Sequence, residues 1–158
     1  MKAVIYFTHT GNNQKVAHHL KNLLNSNILQ IKDRMKRNFF RDSFYAIIKK
    51  EVQIELTGND LGNYKEILIV TPIWAGNVPA PVYTFLKRHQ KDLNSKTLYF
   101  ILVSGFGEKN MKVLETLKRK LSLEFKGSLF IKDKEIEDES YKKLIDKFMG
   151  ELNLKGEQ

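Results

Sequence analysis

The chain has 158 residues, 42% of them apolar and 28% charged, with a formal net charge of +9 and no cysteine. This is the length and balance of one globular domain, able to bury roughly 70% of the surface its unfolded chain exposes. Without cysteine, disulfide scaffolds, cysteine zinc sites, iron–sulfur clusters and thiol nucleophiles are excluded.

Taken in chain order, short apolar runs alternate with helical periods. Ala3–Phe7 is a continuous β-type run, as expected of a strand covered on both faces. A turn at Thr8–Asn13 leads into Val16, Ala17, Leu20, Leu23 and Leu24, an apolar stripe on a helix of about residues 12–25. Ile28–Lys32 reads as a short second strand. Phe39, Phe40, Phe44, Ile47 and Ile48 recur every three to four residues, which predicts a basic, aromatic helix around 40–50 with those rings packed on a sheet. Val52–Leu56 alternates, and either extends that helix or forms a small strand; residues 57–63 read as a turn.

Ile67–Val70 is the third strand, ended by Thr71 and Pro72, and Val78, Val82, Phe85 and Leu86 stripe the next helix. Thr97–Ser104 is the strongest β signal, broken by Gly105 and Gly107. A helix through Met111, Leu114, Leu117 and Leu121 follows, then a strand at Ser128–Ile131 and a helix through Tyr141, Leu144, Ile145, Phe148 and Leu152. There is no repeat and no Pro/Gly/Ser linker, so residues 1–158 read as a single domain. Five strands alternating with helices predict an α/β three-layer sandwich around a parallel sheet. In such sheets ligands bind at the carboxyl ends of the strands, which directs attention to the loops after strands one, three and four.

No apolar run approaches the ~20 residues that span a bilayer. Five apolar residues after Lys2 are too few for an export signal, whose core needs about 7–15, so a cytoplasmic location is expected. The positive charge is uneven. Residues 1–31 contribute +3, 32–50 contribute +5, 51–107 balance, and 108–158 contribute +1. A basic surface draws acidic partners by long-range attraction, though the same charge also serves solubility alone.

The first loop, Thr8-His9-Thr10-Gly11-Asn12-Asn13, runs from a strand end into a helix start. It carries hydroxyls, small side chains and no carboxylate. A helix N-terminus offers unpaired N–H groups and partial positive charge, which suits a phosphate. Thr8 and Thr10 could donate to it, and Gly11 permits close approach. The same residues also suit an ordinary cap formed by Asn12 or Thr10.

This stretch resembles the phosphate loop of the flavodoxin family, an apolar strand followed by Ser/Thr-x-Thr-Gly-Asn-Thr. Thr8, Thr10, Gly11 and Asn12 match; Asn13 replaces the usual Thr; His9 fills the variable position. The second loop, Pro72-Ile73-Trp74-Ala75-Gly76-Asn77-Val78, is similar to the family's flavin-side loop, with Pro79 opening the next helix. The resemblance implies that Trp74 contacts the isoalloxazine ring and that backbone near Gly76 bonds its N5 edge, where a peptide flip stabilises the half-reduced ring. In the third loop, Ser104-Gly105-Phe106-Gly107, it implies a second ring contact from Phe106 and N–H groups for the pyrimidine edge. Read without the resemblance, Trp74 is equally a core residue and the third loop a Gly-rich turn.

The expectation is therefore a flavodoxin-like domain, sheet order 2-1-3-4-5, that binds FMN and carries electrons between partner proteins. A basic chain should also ease formation of the anionic, fully reduced flavin. An acidic redox partner or anionic small-molecule acceptor is expected to dock near residues 32–50. One alternative is a small NAD(P)H-dependent FMN reductase acting on a quinone or other small acceptor. Another is a flavin-free module that binds nucleic acid or an anionic surface through Lys32, Arg34, Lys36, Arg37, Arg41, Lys49 and Lys50. Other phosphate chemistries lack their motifs. There is no G-x-G-x-x-G, no P-loop, and no acid at the first and third strand ends, where Thr8 and Thr71 stand. His9, His18, His19 and His89 are scattered and suggest no metal site.

Overall fold

Alternation along each β run decides the layers. In the computed structural model, which describes residues 1–35, 41, 44–45, 51–58, 60–105 and 111–152, Ala3, Ile5 and Phe7 point to one face of the sheet and Val4 and Tyr6 to the other. The same split recurs at Ile67/Ile69 against Leu68/Val70, and at Leu98/Phe100/Leu102 against Tyr99/Ile101/Val103. Both faces are apolar, so helices cover both. One core holds helices Ala80–Arg88, Gln90–Asn94 and Lys112–Leu121; the other holds Asn12–Leu24, Asp133–Glu137 and Tyr141–Glu151.

The strands are β1 (Lys2–Tyr6), β2 (Asn27–Asp33), β3 (Ile54–Leu56), β4 (Glu66–Pro72), β5 (Thr97–Ser104) and β6 (Gly127–Lys132). Their order is β3-β2-β1-β4-β5-β6. The parallel part, β2-β1-β4-β5-β6, is the expected five-stranded arrangement. The correction is a sixth strand, β3, which pairs antiparallel on the outer edge of β2. Val52–Leu56 thus ends in a strand rather than extending a helix. Thr57 clamps it: its N–H donates to the Gln30 carbonyl at 3.0 Å and its hydroxyl accepts the Gln30 N–H at 2.7 Å. Lys32 lies opposite Glu55 in register, an opposite-charge pair of the kind that settles an exposed edge.

Pro72 ends β4 inside the sheet without loss of a ladder bond. The Ile73 N–H donates to Val103 on β5, so the Pro72 nitrogen faces the β1 side. There the last ladder contact is the Phe7 N–H to the Val70 carbonyl, and β1 has already turned away.

Of the expected helix around 40–50, Arg41, Phe44 and Tyr45 are helical; the remainder, including Phe39, Phe40, Ile47 and Ile48, lies outside the described residues. Phe44 departs from the expected packing on the sheet: it is 56% exposed, beside Tyr45, whose ring lies under the Arg41 guanidinium. The short helices Gln90–Asn94 and Asp133–Glu137 were not legible as periods. Among the described residues no helix is long and apolar enough to cross a membrane.

Candidate functional site

Once β1 and β4 separate, residues 8–11 are shaped by local bonds. The Thr8 hydroxyl oxygen accepts the Gly11 N–H at 3.0 Å, and the Gly11 carbonyl accepts the Lys15 N–H at 3.1 Å. Between these two bonds Gly11 sits at φ 94°, a left-handed conformation that glycine adopts without a Cβ penalty. Gly11 is also the N-cap of helix Asn12–Leu24, with no side-chain cap bond. The ordinary cap by Asn12 or Thr10 is therefore not formed, and the first amides of the helix have no helical acceptor. Asn13 is buried, and its Oδ1 has no hydrogen-bond partner among the described residues.

The second loop is a tight hairpin. The Trp74 N–H donates to the Asn77 carbonyl at 2.8 Å and the Asn77 N–H to the Trp74 carbonyl at 2.9 Å. Between them Ala75 (φ 48°) and Gly76 (φ 72°) are both left-handed, the backbone of a two-residue type I′-like turn. Ala75, which carries a Cβ, shares the left-handed region with Gly76. The Asn77 amide donates to the Ala75 carbonyl at 3.0 Å, and buried Val78 anchors the turn. Pro79 is the N-cap of Ala80–Arg88 rather than a residue of its first turn.

Trp74 is half-buried. The Phe7 and His9 rings both lie 5.7 Å from it, at 76° and 89°. Two near-perpendicular ring contacts hold the indole in place at this end of the sheet. At the end of β5, Ser104 is buried and Gly105 exposed; Phe106 and Gly107 lie outside the described residues.

These ends converge on one cleft of about 400 Å³, within the ordinary range of small-molecule sites. The first loop supplies His9, Thr10, Asn12 and Asn13; the second, Pro72, Ile73, Trp74 and Ala75; the third, Val103, Ser104 and Gly105. Thr8, Gly11, Gly76, Asn77 and Val78 do not line it; Thr8 and Gly11 shape the first loop, and the other three belong to the hairpin. Beneath the first loop Tyr6 is buried, which pushes its phenol pKa up and keeps it neutral.

One lining residue escaped sequence reading. Asp133, exposed, opens helix Asp133–Glu137 just after β6, and its Oδ1 accepts a bond from the Asn12 side-chain amide at 3.4 Å. The signal was present, since Asp133 follows the fifth predicted strand at the same carboxyl edge. The first loop thus carries no carboxylate of its own but receives one from 121 positions away.

The backbone amides, the half-buried Trp74 indole in the lining and the cleft's size fit a flat heteroaromatic ligand with a polar tail. A family model described as "Flavodoxin domain" matches residues 46–155. That span takes in the second and third loops; residues 8–13 precede it. Among solved structures the chain is similar to a flavoprotein from Lactobacillus acidophilus NCFM in complex with FMN. The two share 20% identity over 88% of this chain and 97% of that one, with a TM-score of 0.69. A protein of Bacteroides uniformis ATCC 8492 assigned to the flavoproteins is similar at 19% identity, over 92% and 97% of the two chains, with a TM-score of 0.73. No match was found among curated proteins. With well over half of its length matched by the family model, on a sheet of the expected order, the chain belongs to the flavodoxin domain family.

Proposed function

We propose that this chain binds FMN in the cleft and carries electrons between partner proteins. The observation that supports the reading is convergence. The uncapped N-terminus of Asn12–Leu24, Trp74 with its Phe7 and His9 ring contacts, and the Val103–Gly105 strand end all line one cleft. The helix amides would hold the phosphate. Trp74, with Pro72 and Ile73, would face the ring and shield it from water. Flavin, when bound, supplies the electron chemistry; the chain supplies binding, orientation and electrostatics. No side chain of the cleft is needed as an acid or base.

The partner follows from charge. The excess in residues 32–50 favours an acidic redox protein or an anionic acceptor over nucleic acid. A reductase that takes electrons directly from NAD(P)H would differ in one respect: it turns over with a small acceptor and no second protein.

The test is the visible spectrum of purified protein before and after FMN addition and desalting. A flavin band that survives desalting, and is lost when Thr10 and Asn12 are both replaced by Ala, supports the reading. A colourless protein that leaves FMN fluorescence unquenched overturns it.

A further inference from the structure

The near-neutral charge of residues 108–158 hides a separation along β6. The acids Asp133, Glu135, Glu137, Asp138 and Glu139 follow the strand, at the carboxyl edge where the cleft opens. Lys118, Arg119, Lys120 and Lys126 precede it, at the opposite, amino edge. That edge gathers further cations. The parallel strands β4, β5 and β6 each begin just after a lysine: Lys65, Lys96 and Lys126. The Thr97 N–H donates to the Lys65 carbonyl and the Lys126 N–H to the Leu98 carbonyl, so these starts lie side by side, about 4.8 Å from strand to strand. The Gln90 amide donates to the Leu121 carbonyl, which joins helix Gln90–Asn94, with Lys91, to the basic last turn of Lys112–Leu121.

The acids at this end are engaged. Glu66 pairs with Lys2 at 3.7 Å, Glu124 with Lys118 at 3.3 Å, Asp92 lies 3.8 Å from His89, and Asp60 accepts the Gly62 N–H in its own turn. Lys65, Lys91, Arg119, Lys120 and Lys126 are exposed and form no ion pair among the described residues. Cations in a last helical turn complement the macrodipole. That accounts for Lys91 and for Lys118, Arg119 and Lys120, but not for Lys65 or Lys126, which precede strands.

We propose that this amino edge docks on an anionic lipid surface, with the cleft turned away from it. Two features favour lipid over other polyanions. The cations are mostly lysines, point charges suited to a diffuse surface, whereas nucleic acid is gripped by Arg forks and stacked on exposed rings. The ring at this edge, Phe125, is half-buried under Lys118. An acidic redox protein gains nothing here, because the seven residues of β4 hold this edge roughly 20 Å from the cleft. The proposal stands independently of the flavin reading.

The experiment floats the full chain, without flavin, with vesicles of phosphatidylcholine alone or with about one-third phosphatidylserine, at low and high salt. Binding is expected to the anionic vesicles only, and to be lost at high salt. A basic side chain near such a surface strengthens binding about fivefold. Replacing Lys91, Arg119, Lys120 and Lys126 together by Gln should therefore weaken it by about 100-fold or more, with the urea midpoint unchanged. Changing Lys36, Arg37 and Arg41 to Gln should cost only a few-fold.

Equal binding to both vesicle types, or to neither, overturns the proposal, as does a quadruple variant that floats like wild type. A larger loss in the Lys36, Arg37 and Arg41 variant would move the contact to residues 32–50 and likewise overturns it. Tighter binding of DNA than of vesicles, with the same sensitivity to the four substitutions, would assign the edge to nucleic acid instead. Docked protein should still take up FMN as free protein does; uptake lost only on vesicles would mean that the cleft faces the lipid, and overturns the proposal.

Discussion

Replacing Thr8 with Val tests whether the first loop is held by its own side chain. Val keeps the volume and the β-branch and removes only the hydroxyl. The substitution removes the acceptor of the Gly11 N–H to Thr8 Oγ1 contact at 3.0 Å, partly buried. A hydrogen bond of this kind contributes about 1 kcal/mol net. With a urea m-value of about 2 kcal/mol/M for a domain of this size, the midpoint should fall by about 0.5 M at constant m. Gly11 is held at φ 94° between this bond and the Lys15 N–H. Losing one of the two lets the helix-opening amides drift, so FMN affinity should fall about tenfold, or 1.4 kcal/mol. Thr8→Ser, which restores the hydroxyl, should recover most of both losses. An unchanged midpoint in Thr8→Val would refute the argument that Thr8 pins the loop, even if FMN affinity fell.

Two glycines separate conformational from steric cost. Gly76→Ala, at φ 72° with no heavy atom within 4 Å of the new Cβ, should cost about 1 kcal/mol. Gly58→Ala, at φ 118° with a Cβ 2.5 Å from Leu29 Cδ2, should cost at least twice that; thermal unfolding that ranks them equal would contradict the packing. The Asp138 carboxyl, which accepts bonds from the Ser140 hydroxyl and N–H, is held below its ordinary pKa of 3.8. Its contribution is therefore present above that value and lost as pH falls through the depressed one. Asp138→Asn should flatten the acid limb of stability against pH, and an identical limb would dismiss the contact. Changing Lys36, Arg37 and Arg41 together to Glu should slow electron transfer to an acidic partner at low salt and not at high salt. A rate unchanged at low salt would remove residues 32–50 from the docking surface.

The parallel sheet was legible because its strands are continuous apolar runs. Thr97–Ser104 could be delimited to the residue, since Gly105 stops it and Lys96 precedes it. The loops were legible because the helix N-terminus and the Pro72–Val78 turn use residues of distinctive backbone behaviour. What escaped notice depends on tertiary partners. β3 is three residues long and exists only through β2; no local pattern separates it from a helix end. Ala75 has no preference for positive φ and is carried there by the paired Trp74–Asn77 bonds. Asp133 is a common acidic residue at a helix start until β6 and β1, separated by β5 and β4 in the sheet, bring it to Asn12.

Trp74 is the only tryptophan in the chain, and it lines the cleft. The protein therefore carries one indole emitter, placed where a ligand would arrive and in ring contact with Phe7 and His9. Indole emission from the unlabelled protein reports on this cleft and on no other tryptophan environment. A ring stacked on Trp74 would quench it through contact, whereas a colourless ligand bound elsewhere would leave it bright. Occupancy of the cleft can thus be followed in the unmodified chain, including for ligands that have no colour of their own.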